Sequence, residues 1–169
     1  MSSPKDSADI RRLRAADARN YRSALVEALI VHPECFPEDY RAEISRPISS
    51  TEEELERNGI FGAWVDGVLA GIVSGIPCTA SKRRHSGRIQ NLYVKEKFRR
   101  RGVASLLLRA LLQFASCDLE QLEVEVPAKC ESVVCLFERF GFRMCGLMPG
   151  GIRVGQEGFD VWTMVRRLR

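Results

Sequence analysis

The residues with the clearest chemical potential lie between positions 92 and 104, where an apolar run, a basic turn and a second apolar run follow one another. The turn holds Arg99, Arg100 and Arg101, and Gly102 opens the second run. If that run is a helix, its first N–H groups have no partner within the helix, and the helix dipole favours an anion beside them. The spacing therefore predicts a phosphate-binding site, with an ordinary basic turn before a core helix as the alternative.

Basic residues are clustered, although the net charge of the chain is only +4. One group covers residues 82–85 with Arg88 nearby, and the other covers residues 95–101. Such clusters are typical of sites for phosphate, nucleic acid or an anionic surface, and also of solvated faces. The small net charge argues against nucleic acid, so no nucleic-acid partner is expected.

Six cysteines raise the question of a disulfide framework or a metal site. No two follow the C-x-x-C spacing, and the only histidines are His32 and His85. Several cysteines lie in apolar runs, as Cys135 does between Val134 and Leu136. We interpret them as small buried thiols in a reducing cytoplasm, so neither a metal nor a disulfide is expected.

Hydrophobic periodicity predicts the elements that must position the basic turn. Strand 88–94, helix 102–116 and strand 121–126 form a β-α-β unit, so the two strands should be parallel. The Asp66-Gly67 pair between two apolar runs predicts a hairpin. The other expected elements are strands at 10–14, 60–65, 68–76, 141–147 and 158–167, and helices at 17–32, 38–44, 52–57 and 130–140.

Two local details are also predicted. Ser50 or Thr51 is expected to cap the helix over 52–57, because a glutamate follows each of them three residues later. The glycine-rich stretch 148–158 is expected to link the last two strands.

The element order and two short motifs resemble the GNAT superfamily of N-acetyltransferases. Arg99-x-x-Gly102-x-Ala104 matches that family's pyrophosphate motif, and residues 136–142 resemble its second signature segment. The resemblance covers residues 9–168. It implies an α/β, GNAT-like (acyl-CoA N-acyltransferase) fold with a central mixed β-sheet flanked by helices.

The resemblance also implies acetyl-CoA as the co-substrate and no metal. The thioester would enter between strands 88–94 and 121–126, and a backbone N–H of Leu92 or Tyr93 would polarise its carbonyl. The backbone of Leu92 and Val94 would bind the pantetheine arm, and the amides of the basic turn would bind the pyrophosphate. The implied cofactor-binding residues are Leu92, Tyr93, Val94, Arg99, Arg100, Arg101, Gly102, Val103, Ala104, Ser105, Cys130 and Phe137.

The chain departs from the family where the catalytic acid and base often stand. Phe137 occupies the position of a tyrosine that protonates the leaving thiolate, and Arg88 the position of a glutamate base. Tyr93 is the candidate acid and Glu125 the candidate base, with water as an alternative to both. The other candidates for the base are Glu123, Asp160 and His85.

Cys130 stands where an asparagine is common, and a cysteine beside a thioester raises the alternative of an acyl-cysteine intermediate. The acceptor site should be formed by residues 17–58, the basic loop and the C-terminal hairpin. Its candidate contacts are Glu34, Phe36, Asp39 and Tyr40, with Arg83, Arg84 and Arg88 suited to an anionic acceptor.

Length and composition set limits on the class of protein. The 169 residues fit one domain over 9–169, after a polar N-terminus at 1–8 that is expected to be disordered. Hydrophobic residues make up 45% and charged residues 28%, which excludes a largely disordered chain. No apolar run is long enough to cross a membrane, and the start lacks a signal-peptide core, so a cytoplasmic location is expected.

The expected function is direct acetyl transfer from acetyl-CoA to a primary amine in a ternary complex, with a small molecule as acceptor. The alternatives are a catalytically weak acyl-CoA-binding module and a protein N-terminal or lysine acetyltransferase. A homodimer that pairs strand 161–165 across a symmetry axis is a further expectation.

Overall fold

The computed structural model describes residues 8–169, which form one seven-stranded mixed sheet flanked by five α-helices. The expected disorder over 1–8 lies outside the described residues, apart from Ala8. The strands are β1 (Asp9–Arg12), β2 (Gly59–Val65), β3 (Val68–Pro77), β4 (Ser86–Val94), β5 (Gln121–Pro127), β6 (Arg143–Val154) and β7 (Glu157–Arg167). The helices are α1 (Ala18–Val31), α2 (Tyr40–Ser45), α3 (Ile48–Arg57), α4 (Val103–Ala115) and α5 (Glu131–Arg139).

The strand order in the sheet is β1-β2-β3-β4-β5-β7-β6. β4 and β5 are parallel neighbours joined through α4, and every other pair is antiparallel. Asp66 and Gly67 both take positive φ angles, 49° and 75°, which is the backbone of a tight hairpin turn between β2 and β3. The predicted β-α-β unit, hairpin and mixed sheet are therefore confirmed.

Two hydrophobic cores cover the two faces of the sheet. On one face, α4 and α5 pack on apolar side chains of β2, β3, β4, β5 and β7. On the other face, α1 and α3 pack on β2, β3 and Tyr93 of β4. A Cβ atom at Gly75 would lie 2.5 Å from Cδ1 of Leu111, so this glycine lets α4 approach β3 closely. Both faces of β4 are thus fixed by packed helices.

The predicted cap of α3 is wrong. The helix begins at Ile48, directly after Pro47, so Ser50 and Thr51 lie within it. Thr51 is fully buried, and its hydroxyl accepts a hydrogen bond from the Arg22 side chain of α1. The hydroxyl of Thr51, which the local pattern assigned to a helix cap, therefore binds a side chain of α1 instead.

The predicted glycine-rich link is also wrong over most of its length. β6 continues to Val154, which pairs with Glu157, so only Gly155 and Gln156 connect the last two strands. The ladder is irregular between Met148 and Ile152, where Gly150 takes a φ of 60°. The glycines therefore lie at an irregular point of a long hairpin, and the two strands continue to pair on both sides of it.

The expected pairing of strand 161–165 across a dimer axis is wrong, because β7 lies between β5 and β6 and has no free edge. The free edge of this part of the sheet is β6, which exposes Met144, Leu147 and Met148.

The expectation of buried cysteines is wrong as well. Cys117, Cys135 and Cys145 are exposed, and Cys35, Cys78 and Cys130 are half-buried. In α5 the buried neighbours of Cys135 are Val134 and Leu136, so the apolar run alone could not indicate which side chain faces outward. All six are free thiols.

Among residues 8–169, no helix has the length and apolar character that crossing a bilayer requires.

Tyr21 joins α1 to the centre of the sheet. Its hydroxyl lies 3.1 Å from the Ser74 hydroxyl and accepts a hydrogen bond from Nδ2 of Asn91 at 3.3 Å. Tyr21 and Ser74 are both fully buried, and burial raises the pKa of Tyr21. Asn91 has a φ of 55° and interrupts the β3–β4 ladder, so these contacts hold a bulge in β4.

We expect Tyr21→Phe to lower the free energy of unfolding by about 1–3 kcal/mol, because it leaves the buried Ser74 hydroxyl without a partner. Urea denaturation measures this change. Tyr40→Phe is the matched control, since the hydroxyl of Tyr40 has no hydrogen-bond partner among residues 8–169. Equal stabilities of the two variants would contradict the role given to Tyr21.

Candidate active site

The site begins where β4 and β5 separate. Their parallel pairing runs from Ser86–Gln121 to Ile89–Val124 and then stops, although β4 continues to Val94. β4 stays paired with β3 as far as Val94. Beyond Ile89, the edge of β4 that was paired with β5 therefore faces a gap rather than a strand.

The backbone of β4 presents hydrogen-bonding groups to this gap. Lys95 donates its N–H to the carbonyl of Ala70 in β3, so that N–H points away from β5. Successive N–H groups of a strand point to opposite sides, so those of Val94 and Leu92 point toward the gap. The carbonyl of Val94 accepts a bond from Nε of Arg99 at 2.9 Å, which places that side chain beside the end of β4.

The basic turn follows directly and leads into α4. Arg100 and Gly102 both have positive φ angles, 63° and 80°, and Gly102 caps the helix. A Cβ atom at Gly102 would have no neighbour within 4 Å, so the backbone there is open to an incoming group. The turn is anchored by Phe98, which is buried, while the three arginines are exposed. This geometry provides the unpaired helix N–H groups that the sequence predicted.

Two side-chain contacts connect the turn and β4 to α1. Arg99 donates from Nη2 to Nε2 of His32 at 2.9 Å, just after the end of α1. Tyr93 donates its hydroxyl to Oε1 of Glu27 at 2.8 Å. Lys95 lies 3.6 Å from the other oxygen of Glu27. The C-terminal half of β4 is thus held by α1 through charged and polar groups.

Tyr93 remains protonated at neutral pH. Burial, reinforced by the carboxylate of Glu27, raises the pKa of Tyr93 to about 12. Its hydroxyl is directed to α1, and its proton already has an acceptor there. The structure therefore gives Tyr93 a clear contact that sequence reasoning could not assign.

The carboxylates of β5 differ in their partners. Leu122, Val124 and Val126 are in the core beneath α4 and α5, so the alternating glutamates lie on the α1 face. Glu123 pairs with Arg83 at 3.1 Å and with Arg88 at 3.0 Å.

Glu125 is exposed and is the first acidic residue beyond the last β4–β5 pair. Within residues 8–169 it has no hydrogen-bond or ion-pair partner. Glu125 is therefore placed at the mouth of the gap with its carboxylate available.

The ion pairs of Glu123 also bear on the acceptor. Arg83 and Arg88 were expected to suit an anionic acceptor, but both pair with that glutamate, which offsets one of their two charges. Glu38 lies on the same side, and its pKa is raised by partial burial and by the carboxylates of Glu43, Glu54 and Glu125. The electrostatic surroundings of the gap are therefore more acidic than the basic loop suggested.

The segment between α1 and α2 packs over β5 and β6. Glu34 lies 3.6 Å from Nζ of Lys129, which precedes α5. Phe36 is buried in the α1 core, and the side chain of Asp39 caps α2 by accepting from the N–H of Arg41. Of the four candidate acceptor contacts, Phe36 and Asp39 thus have structural roles, and Tyr40 is half-buried.

The residues of α5 that the resemblance assigned to the cofactor lie at different depths. Cys130 is half-buried at the start of the helix, and its sulfur lies 3.4 Å from that of Cys35. Phe137 is fully buried and packs edge-to-face on Phe142, with ring centroids 5.1 Å apart. Phe137 is thus part of the core beneath the gap.

A separate cavity of about 470 Å³ lies at the other end of the sheet. Its walls come from the end of β3, the last turns of α4 and Leu122. None of the residues predicted to bind the cofactor lines it, so it does not belong to the site described above.

Sequence reasoning missed three residues at the site: Glu27, His32 and Glu38. Each interacts with a residue that is distant in sequence, as Glu27 does with Tyr93, 66 residues away. The position of His32 next to Pro33, at the end of α1, was the one available signal, since it places the side chain at a helix end.

The fold and this geometry agree with a family comparison. Residues 19–142 match the acetyltransferase (GNAT) family. The chain belongs to this family, and the class of enzyme is an acetyltransferase. The family assignment confirms the resemblance drawn from the two motifs. No curated protein sequence matches the chain significantly.

Solved structures share the whole fold at low sequence identity. A GNAT-family acetyltransferase from Streptococcus pneumoniae superposes with a TM-score of 0.85 at 21% identity, covering 95% of this chain and 99% of that one. The yncA protein of Salmonella typhimurium, solved with its cofactor acetyl-CoA, gives 0.82 at 18% identity, covering 96% and 95%. A phosphinothricin acetyltransferase from Sinorhizobium meliloti, in complex with acetyl-CoA, gives 0.81 at 18% identity, covering 95% and 88%.

Proposed function

We propose that this acetyltransferase moves an acetyl group from acetyl-CoA to a primary amine of a small molecule, by direct transfer in a ternary complex. The observation that carries the proposal is the gap between β4 and β5, which opens beside a turn of free helix N–H groups. The acetyl-CoA complexes of the Salmonella and Sinorhizobium proteins, which share the fold, support acetyl-CoA as the donor.

The cofactor would be held mainly by backbone groups. The carbonyl of Leu92 and the N–H of Val94 suit the amide-rich pantetheine arm, because an extended chain can add to the free side of a strand. The N–H groups of Val103, Ala104 and Ser105 suit the pyrophosphate, since they have no partner within the helix and lie at the positive end of α4. The N–H of Arg99 already donates to the carbonyl of Glu96. The exposed arginines add positive charge. Cys130 would border the acyl end.

Direct transfer needs positioning more than it needs a dedicated nucleophile. Holding the amine and the thioester together contributes up to about 7–11 kcal/mol in ideal geometry. The N–H of Leu92, which points into the gap, is the proposed donor to the oxyanion that forms at the thioester carbon. The sulfur of Cys130 contacts another thiol, and no base among residues 8–169 forms a hydrogen bond with it, so no general base would activate it for an acyl-cysteine intermediate.

Glu125 is the proposed group that removes the proton of the incoming ammonium. It lies on the α1 face at the mouth of the gap, where Arg88 is near enough to interact with its charge but no cation among residues 8–169 forms an ion pair with it. Its carboxylate, together with that of Glu38, also favours a positively charged amine over the anionic acceptor first considered. The amine would therefore approach from the side of α1 and the segment that follows it.

The leaving thiolate would receive its proton from water. Phe137 has no proton to give, and the hydroxyl of Tyr93 donates to Glu27 on the α1 face. Tyr93 would have to break that bond before it could act as an acid. We therefore assign to Tyr93 the role of holding β4 against α1.

One observation favours a second function. The absence of a hydroxyl at Phe137 removes the usual acid of the family, which suits a module that binds acyl-CoA with weak catalysis. Turnover separates the two functions, because both require the cofactor to bind.

The first test is acetyl-CoA binding by thermal unfolding. Acetyl-CoA or CoA at a hundred times its Kd should stabilise the protein by about 2.7 kcal/mol and raise the midpoint by roughly 5–10 °C. ATP should have little effect. Release of free thiol on addition of an amine then distinguishes the transferase from the binding module. No shift at saturating acetyl-CoA would overturn both functions.

Gly102→Ala and Gly67→Ala form a matched pair for the same assay. Both glycines have a φ near 80° and open space at the Cβ position, so each variant should lose about 1 kcal/mol of stability. Only Gly102→Ala should weaken acetyl-CoA binding, by about tenfold. Its added methyl group would stand where the pyrophosphate must approach the N–H groups of the turn, and hydrogen bonds to those groups would be lost. Equal affinities of the two variants would contradict the assignment.

Glu125→Gln should lower kcat by about a hundredfold and leave the affinity for acetyl-CoA unchanged, because it removes a general base. Glu123→Gln is the control, since it changes the same type of residue on the same face of β5 but away from the gap. Steady-state kinetics with saturating acetyl-CoA give both values. A loss of similar size in both variants, or none in Glu125→Gln, would exclude Glu125 as the base.

A further inference from the structure

Two thiols from distant parts of the chain meet at the edge of the site. The sulfurs of Cys35 and Cys130 are 3.4 Å apart, although 95 positions separate the residues in sequence. Cys35 lies in the short turn after α1, and Cys130 lies directly before α5. A disulfide needs a sulfur separation of about 2.05 Å, so the two sulfurs must approach each other by little more than 1 Å to reach bonding distance.

We propose that Cys35 and Cys130 form a reversible disulfide, which makes this pair a redox-modification site of the protein. The oxidant is a peroxide. The bond would tie the segment between α1 and α2 to the start of α5. The other four cysteines are not paired in this way, because no other two sulfurs are in contact within the described residues.

The reaction is balanced with one peroxide for each disulfide. The sulfur of Cys130 attacks one oxygen of hydrogen peroxide, the O–O bond breaks, and a sulfenic acid and water result. The sulfur of Cys35 then attacks the sulfenic sulfur, the S–O bond breaks, and a second water leaves. The two thiols are oxidised by two electrons in total, and the peroxide is reduced to two waters.

The surroundings indicate which sulfur reacts first. Burial, reinforced by the sulfur of Cys130, raises the pKa of Cys35 to about 12, so Cys35 keeps its proton at neutral pH. Cys130 is half-buried beside Lys129 and the amino end of α5. Cys130 is therefore assigned as the sulfur that meets the peroxide, and Cys35 as the resolving thiol.

The pair is placed where a new bond would affect the site. The segment that holds Cys35 also holds His32, which accepts the hydrogen bond from Arg99 of the cofactor turn. It also holds Glu34, whose partner Lys129 is the neighbour of Cys130. This consequence rests on the proposed function: the disulfide would fix the acceptor side of the gap, and acetyl transfer should fall several-fold until a reductant restores it.

The test treats the full chain with stoichiometric hydrogen peroxide and maps its peptides by mass spectrometry. We expect a cross-linked pair of peptides containing Cys35 and Cys130, lighter by two hydrogens, which dithiothreitol separates. Cys35→Ser and Cys130→Ser should each abolish it. Cys117→Ser and Cys145→Ser, at exposed cysteines, are the matched controls and should leave it intact.

Three results would overturn the proposal: no cross-link, a cross-link between other cysteines, or only intermolecular disulfides. The mass measurement does not depend on acetyl transfer. If the protein fails to acetylate amines but the cross-link forms, the proposed function fails and the modification site stands. If the enzyme is active but no cross-link forms, this inference alone fails.

Discussion

The structure depends on one strand that has different neighbours along its two edges. β4 pairs with β3 as far as Val94 but leaves β5 after Ile89. The N–H groups of Leu92 and Val94, which point away from β3, cannot be satisfied by the sheet, and buried backbone donors without partners are costly. They must be bound by water or by a ligand. The gap therefore leaves the sheet with unpaired backbone groups, and the same groups make this region a binding site.

Contacts from α1 help to hold β4 in place where its edge toward β5 is unpaired. Tyr21 bonds to Ser74 and Asn91 at the bulge, and Tyr93 bonds to Glu27 four residues after Ile89. On the other face, α4 packs on β3 so closely that a Cβ atom at position 75 would lie 2.5 Å from Cδ1 of Leu111. β4 is thus held rigidly although one of its edges is unpaired, which is the preorganisation that a direct transfer between two bound substrates requires.

Much of the fold could be predicted because local signals and long-range packing agree. The alternation in β5, the apolar α4 and the Asp66-Gly67 turn are each defined by neighbours in sequence. The first two, with β4 before them, predict the parallel β4–β5 pair. The same reasoning failed at Thr51 and at residues 148–154. At Thr51 the partner is Arg22, 29 residues away in sequence, and at 148–154 pairing with the next strand, β7, determines the local structure.

The same distinction between local and distant partners applies to the residues of the site. The turn from Arg99 to Gly102 could be predicted because its chemistry comes from consecutive backbone groups. The contacts of Glu27, His32 and Cys35 could not, because each requires a partner from another element. No periodicity in the sequence indicates that Cys35 and Cys130 share an edge of the site, since the fold alone brings them together.

The central claim is that the free edge of β4 and the turn before α4 bind the cofactor through backbone N–H groups. Amide hydrogen exchange with and without CoA tests it directly. The account predicts slower exchange at residues 92–94 and 99–105 when CoA is present, and unchanged exchange at the open hairpin turn of Asp66 and Gly67. Unchanged exchange at 92–94 and 99–105, with protection only at the basic loop near residues 82–85, would contradict it.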